Sequence, residues 1–134
     1  MRQPIKNHTA LKVWQSSRFL ARAAHNIAAL FPDPDKGTLA DEIRRAAIAV
    51  SGNIAEGCGR GTTVELIRSL RIARGCVAQL HSHLTLAADL GYSKLSVDHP
   101  IFVEVAEVMR MIDAQLASLS RRSTRSPGGR EGGR

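Results

Sequence analysis

Apolar residues recur along this chain at alternating spacings of four and three, the period of one buried face on an α-helix. Val13, Ser17, Leu20, Ala24, Ile27 and Phe31 form the first such stripe, with Leu11 and Trp14 beside it, and predict a helix from about His8 to Leu30. Phe31-Pro32-Asp33-Pro34-Asp35-Lys36-Gly37 then ends it, because prolines and glycine do not continue a helix. Thr38, three residues before Asp41, is a capping-box-like start for a second helix. The stripe of that helix is Leu39, Ile43, Ala46, Val50, Asn53 and Gly57, and it stops around Gly57-Cys58-Gly59-Arg60-Gly61, where glycines permit a left-handed turn.

Thr62 with Glu65 is a stronger capping box and opens a third helix. Its stripe is the cleanest in the chain: Leu66, Leu70, Ala73, Val77, Leu80, Leu84 and Ala87, ending at Gly91. Asp98, with Pro100 in the first turn, opens the fourth, whose stripe is Phe102, Val105, Met109, Ile112, Leu116 and Leu119. No alternating strand pattern competes with these four segments. Short connections favour antiparallel neighbours, so residues 1–120 are expected to form an all-α, up-down-up-down antiparallel four-helix bundle. Residues 121–134, rich in arginine and glycine with nothing apolar to bury, are expected to be a disordered tail.

Two helices carry more apolar width than one core needs. Ile72, Cys76, His83, Leu86 and Leu90 make a second stripe on the third helix, and Ile48 and Ala55 lie off the main stripe of the second. Such excess predicts self-association. A length of 134 residues fits one domain with a modest core. No run of eighteen apolar residues predicts a membrane span, and the N-terminus has no signal-peptide block. The two cysteines, Cys58 and Cys76, form no CxxC pair, so reduced packing thiols in a cytoplasmic protein are expected.

The net charge of +7 is unevenly spread. Residues 1–32 hold Arg2, Lys6, Lys12, Arg18 and Arg22 and no acid. Residues 57–88 hold Arg60, Arg68, Arg71 and Arg74 against Glu65 alone, whereas 98–113 are acidic. Arg68, Arg71 and Arg74 are successive i,i+3 neighbours and predict a basic ridge leading on from Arg60. A ridge of this kind is most often a solvated face, but repeated in an oligomer it would attract a polyanion such as RNA or DNA. The few aromatic residues, Trp14, Phe19, Phe31, Tyr92 and Phe102, lie mostly on apolar stripes, which argues against base stacking.

Little supports catalysis or metal binding. A di-metal bundle needs Glu-x-x-His motifs on two helices, and the sequence contains none. His81 and His83, two apart, point to different helix faces. Cys58 beside Arg60 reads as a packing residue rather than a nucleophile. No metal, cofactor or catalytic residue is therefore expected. A polar residue on a coiled-coil-like stripe commonly sets register, the role expected of Asn53. Glu56 with Arg60, and Asp41 with Arg45, have the favourable i,i+4 order for helix-stabilising pairs.

Leu11-Lys12-Val13-Trp14-Gln15, Phe31-Pro32, Leu39 through Arg45, Asn53-Ile54-Ala55-Glu56-Gly57 with Arg60, Ile72-Ala73-Arg74-Gly75 and Leu90-Gly91-Tyr92 together resemble one family in order and spacing. It is the family of four-helix-bundle proteins encoded in intervening sequences of bacterial 23S ribosomal RNA genes, and it includes the accessory variability determinants of diversity-generating retroelements. The resemblance spans roughly residues 10–120. It implies a homopentamer in which Arg44, Arg45, Asn53, Glu56 and Gly57 belong to a structural and assembly motif. The retroelement relatives bind nucleic acid on a basic surface and hold a reverse transcriptase. The chain departs from the family pattern at Ala49-Val50-Ser51-Gly52, where Ser-Ile-Pro is common, and at Gln79-Leu80-His81-Ser82, where a Glu-x-Glu-Thr run is common. The resulting expectation is a non-enzymatic oligomer that binds nucleic acid electrostatically or scaffolds a nucleic-acid enzyme. The alternative is a purely structural protein–protein interaction module.

Overall fold

The computed structural model describes residues 7–32 and 38–125, with side chains as far as Arg122. Among these residues there are four α-helices and no strand: α1 (Lys12–Ala28), α2 (Leu39–Arg60), α3 (Thr63–Asp89) and α4 (Pro100–Arg125). Each helix packs on its neighbour in chain order and α4 closes the bundle against α1. Contacts fix the directions. Gly57 faces Ser69 and Asn53 faces Cys76 across α2/α3, while Arg74 meets Asp113 and His81 meets Phe102 across α3/α4. Phe19 with Val103, and Val13 with Met111, do the same across α1/α4, so neighbouring helices run antiparallel.

The helix ends are set by local chemistry. Thr62 Oγ1 accepts the Glu65 N–H at 3.2 Å, the N-cap half of the expected capping box. Gly61 ends α2 at φ +84°, and Gly91 follows α3 at φ +75°, both left-handed positions that suit glycine. Two other ends differ from expectation. The Thr38 side chain makes no capping hydrogen bond. At the start of α4 it is His99 Nδ1, rather than Asp98, that accepts a first-turn amide, from Ile101 at 3.1 Å. The linker residues Asp33–Gly37 lie outside the described residues. Helix α4 continues to Arg125, five residues past the expected end of the bundle at 120, and the remaining tail, 126–134, lies outside the described residues.

The core is one apolar cluster drawn from all four helices. All seven stripe residues of α3 are buried, as are Val13, Ser17, Leu20, Ala24, Ile27 and Phe31. Phe31 lies beyond the end of α1 and tilts against Tyr92 at 5.3 Å. In α2 the expected Ile43, Ala46, Val50 and Gly57 are buried, but the seam is wider than expected: Ala40, Ala47 and Ile54 are buried too, while Leu39 and Asn53 sit at its edge. In α4, Ile101 and Val108 are buried, and Phe102 and Met109 are half-buried. Both corrections have one cause. At 100° per residue adjacent positions compete for a wide seam, and tertiary packing decides between them.

Gly57 marks the closest approach of α2 and α3. A Cβ there would lie 2.6 Å from Ser69 Cβ and 3.2 Å from Leu66 Cα. Gly52, Gly59 and Gly75 are the opposite case, with nothing within 4 Å of where a Cβ would stand. Ile48 on α2, Ile72 and Leu86 on α3 and Leu90 just after α3 are exposed large apolar residues, in line with the excess apolar width read from the sequence. Among the described residues no helix is long and apolar enough to cross a membrane.

Candidate nucleic-acid interface

The arginine ridge on α3 exists, but most of its charge is balanced within the molecule. Arg60 Nη2 donates to Glu56 Oε2 at 2.8 Å, on the expected i,i+4 spacing. Arg68 lies 4.0 Å from Glu65. Arg74 forms a two-toothed contact with Asp113 of α4, at 2.5 and 3.4 Å. These hydrogen bonds hold the Arg60 and Arg74 guanidiniums more firmly protonated than usual. Arg71 is exposed and, among the described residues, has no carboxylate partner. Of the four ridge arginines, then, Arg71 alone has a charge that no carboxylate among the described residues balances.

The Asn-Ile-Ala-Glu-Gly segment makes its contacts within the chain. Asn53 Nδ2 donates to the Ala49 carbonyl one turn earlier, at 2.8 Å, and approaches Cys76 Sγ at 4.0 Å. Its polar demand is met by its own helix, at the seam's edge rather than at its centre. Ile54 fills the core and Gly57 permits the close crossing. Upstream, Arg44 donates to His25 Nδ1 of α1 at 3.3 Å and pairs with Asp41 at 3.4 Å, so it ties α1 to α2. Arg45 pairs with Glu42 at 3.9 Å, not with Asp41 as the i,i+4 reading had it. The i,i+3 partner wins because Asp41 is already drawn to Arg44.

Burial pushes the thiols of Cys58 and Cys76 up from their ordinary range, which opposes a thiolate nucleophile at either position. His83 is half-buried with Nε2 unpartnered, and the His81 ring meets Phe102 edge-on at 5.7 Å. Among the described residues no three His, Cys, Asp or Glu side chains gather in a way that could hold a metal ion.

A second basic surface, on α1, was not singled out by sequence reasoning. The Arg18 guanidinium carbon lies 5.5 Å from the Trp14 ring centre and 5.4 Å from that of Phe19, and Arg22 lies 5.9 Å from Phe19. His8 packs edge-on against Trp14 at 4.8 Å. Phe19 is 51% exposed, off the apolar stripe rather than on it. Thr9, Trp14, Gln15, Arg18 and Phe19 line a shallow recess of about 250 Å³. Lys12, Arg18 and Arg22 are exposed and, among the described residues, have no carboxylate partner. The signal was available: Trp14, Arg18 and Arg22 are spaced i,i+4 within a stretch that has no acid.

Comparison with curated proteins returns no match. A family model, that of the 23S rRNA-intervening sequence protein, matches residues 9–114, which takes in all of α1, α2 and α3 and over half of α4. That family consists of small helical proteins without a known catalytic role. The matched span, the four helices and the Asn53–Gly57 string agree, and the chain belongs to the 23S rRNA-intervening sequence protein family.

Proposed function

We propose that this chain is a non-catalytic helical protein that assembles with copies of itself and binds nucleic acid through electrostatic contacts. The observation that carries the nucleic-acid reading is the set of exposed cations that have no carboxylate partner among the described residues, Lys12, Arg18 and Arg22 on α1 with Arg71 on α3. A polyanion releases condensed counterions when such groups replace them, and this drives association without any base-specific contact. Self-association, in the ring of five that the family resemblance implies, repeats each cation around the assembly. It thereby raises the effective affinity for one long strand. A nucleic-acid enzyme such as a reverse transcriptase is the protein partner that a scaffold of this kind would hold.

The test is binding of labelled RNA and DNA oligonucleotides as salt is raised. The apparent affinity is expected to fall linearly on a log–log plot, with a slope of about −0.7 per neutralised phosphate for single strands and about −0.9 for duplex. Arg71→Glu is expected to weaken binding and flatten that slope. Absence of binding at about 50 mM salt sinks the nucleic-acid reading.

A second reading is favoured by the pairing of Arg60, Arg68 and Arg74 with the chain's own carboxylates. On that reading the ridge is a solvated, self-balanced face and the protein is a structural interaction module. Wild-type-like oligomers that ignore oligonucleotides at every salt concentration would support it.

A further inference from the structure

We infer that the α1 face built from Trp14, Arg18, Phe19 and Arg22 is a stacking platform for single-stranded nucleic acid. The inference rests on the nucleic-acid reading above and adds to it a site and a substrate class. Two aromatic rings and two guanidinium groups alternate along a little over two turns of one helix, each guanidinium within 6 Å of a ring next to it in the series. A guanidinium held near a ring offers a flat cationic plane on which a base can stack, while its N–H edge stays free for phosphate. The recess between Thr9, Trp14, Gln15, Arg18 and Phe19 gives an unpaired base a place to enter. Duplex bases hide their faces in the helix stack and cannot use it.

The surroundings also give the strand a side to run on. Beyond Phe19 lies a second recess, of about 400 Å³, lined by Ser16, Phe19, Val103, Glu104, Glu107 and Val108. Glu104 and Glu107 there would repel phosphates, although Glu107 is held by Arg110. The sugar-phosphate backbone is therefore confined to the flank carrying Arg18 and Arg22. Charge on one side of the rings and carboxylates on the other orient a polyanion, whereas an apolar partner would gain nothing from the asymmetry.

Trp14 is the chain's one tryptophan, so its fluorescence reports on this face directly. The experiment titrates the full-length protein with oligo(dT), oligo(U) and a duplex of the same length. Single strands are expected to quench Trp14 and to bind more tightly than duplex, and the two oligomers distinguish DNA from RNA as the better ligand. Phe19→Ala, a change at a half-exposed position, is expected to lower single-strand affinity about tenfold and to leave duplex affinity unchanged. Arg18→Lys keeps the charge but removes the plane, and is expected to reduce the quench while nearly preserving the salt dependence. Equal affinity for single strand and duplex without quenching overturns the platform and leaves electrostatic binding standing. An unchanged single-strand affinity in Phe19→Ala overturns it as well. If neither nucleic acid binds, the platform and the nucleic-acid reading fall together.

Discussion

Replacing Gly57 with valine is expected to destabilise the fold by about 3 kcal/mol or more, a substantial part of the total stability of a domain this size. Even one added carbon would lie 2.6 Å from Ser69 Cβ, and the next obstacle is the Leu66 backbone, at 3.2 Å. Ser69 is buried and Leu66 Cα cannot rotate away, so relief requires α2 and α3 to separate. That separation would loosen Val50, Ile54, Leu70 and Ala73, all buried on the two helices. Thermal or denaturant unfolding reads the effect directly, with a fall in midpoint on the order of 10 °C. The milder Gly57→Ala gains helix propensity of roughly 1 kcal/mol against the clash, and Ser69→Gly should partly rescue it. Failure of that rescue, with Gly57→Val as stable as the parent, would show that the crossing is not tight.

The second large effect is expected from the double change Ile72→Glu and Leu86→Glu. These residues are 49% and 47% exposed and lie about four turns apart on one side of α3, with Leu90 continuing the stripe. If copies of the chain bury this stripe, each glutamate takes a charge into an apolar contact at every interface, a cost of several kcal/mol. Light scattering is then expected to give a multiple of 14.5 kDa for the parent and 14.5 kDa for the variant. Both positions are exposed in the subunit, so the helical content should survive. A parent that already scatters as a single chain removes self-association from the proposed function.

The sequence is most readable where one stripe is strong. On α3 every expected core residue is buried, because the aliphatic stripe is unbroken by any polar residue over its whole length. On α2 the spacing from Val50 to Gly57 admits either Asn53 or Ile54 as the intervening member, and the apolar one takes the core. On α4 the same ambiguity between Ile101 and Phe102, and between Val108 and Met109, resolves toward the β-branched residues at the seam. The basic ridge could be located by spacing, but its neutralisation could not. Arg74 meets a carboxylate 39 residues away, a contact that exists only once α3 and α4 have packed. The α1 surface is legible only from helix angle: Phe19 lies off the apolar stripe and shares the outward side of α1 with Arg18 and Arg22.

The outward glycines have a consequence for how this fold could be hardened. Gly52, Gly59 and Gly75 lie inside helices with open space above them, and each leaves the ordered chain short of roughly 1 kcal/mol relative to alanine. Together they represent a latent reserve of stability of about 3 kcal/mol in the lone subunit. Where another backbone comes to rest on those positions, the same three methyl groups become spacers that hold the surfaces apart. The triple alanine variant thus responds with opposite sign in dilute and concentrated solution if these faces are covered, and with one sign throughout if they remain bare.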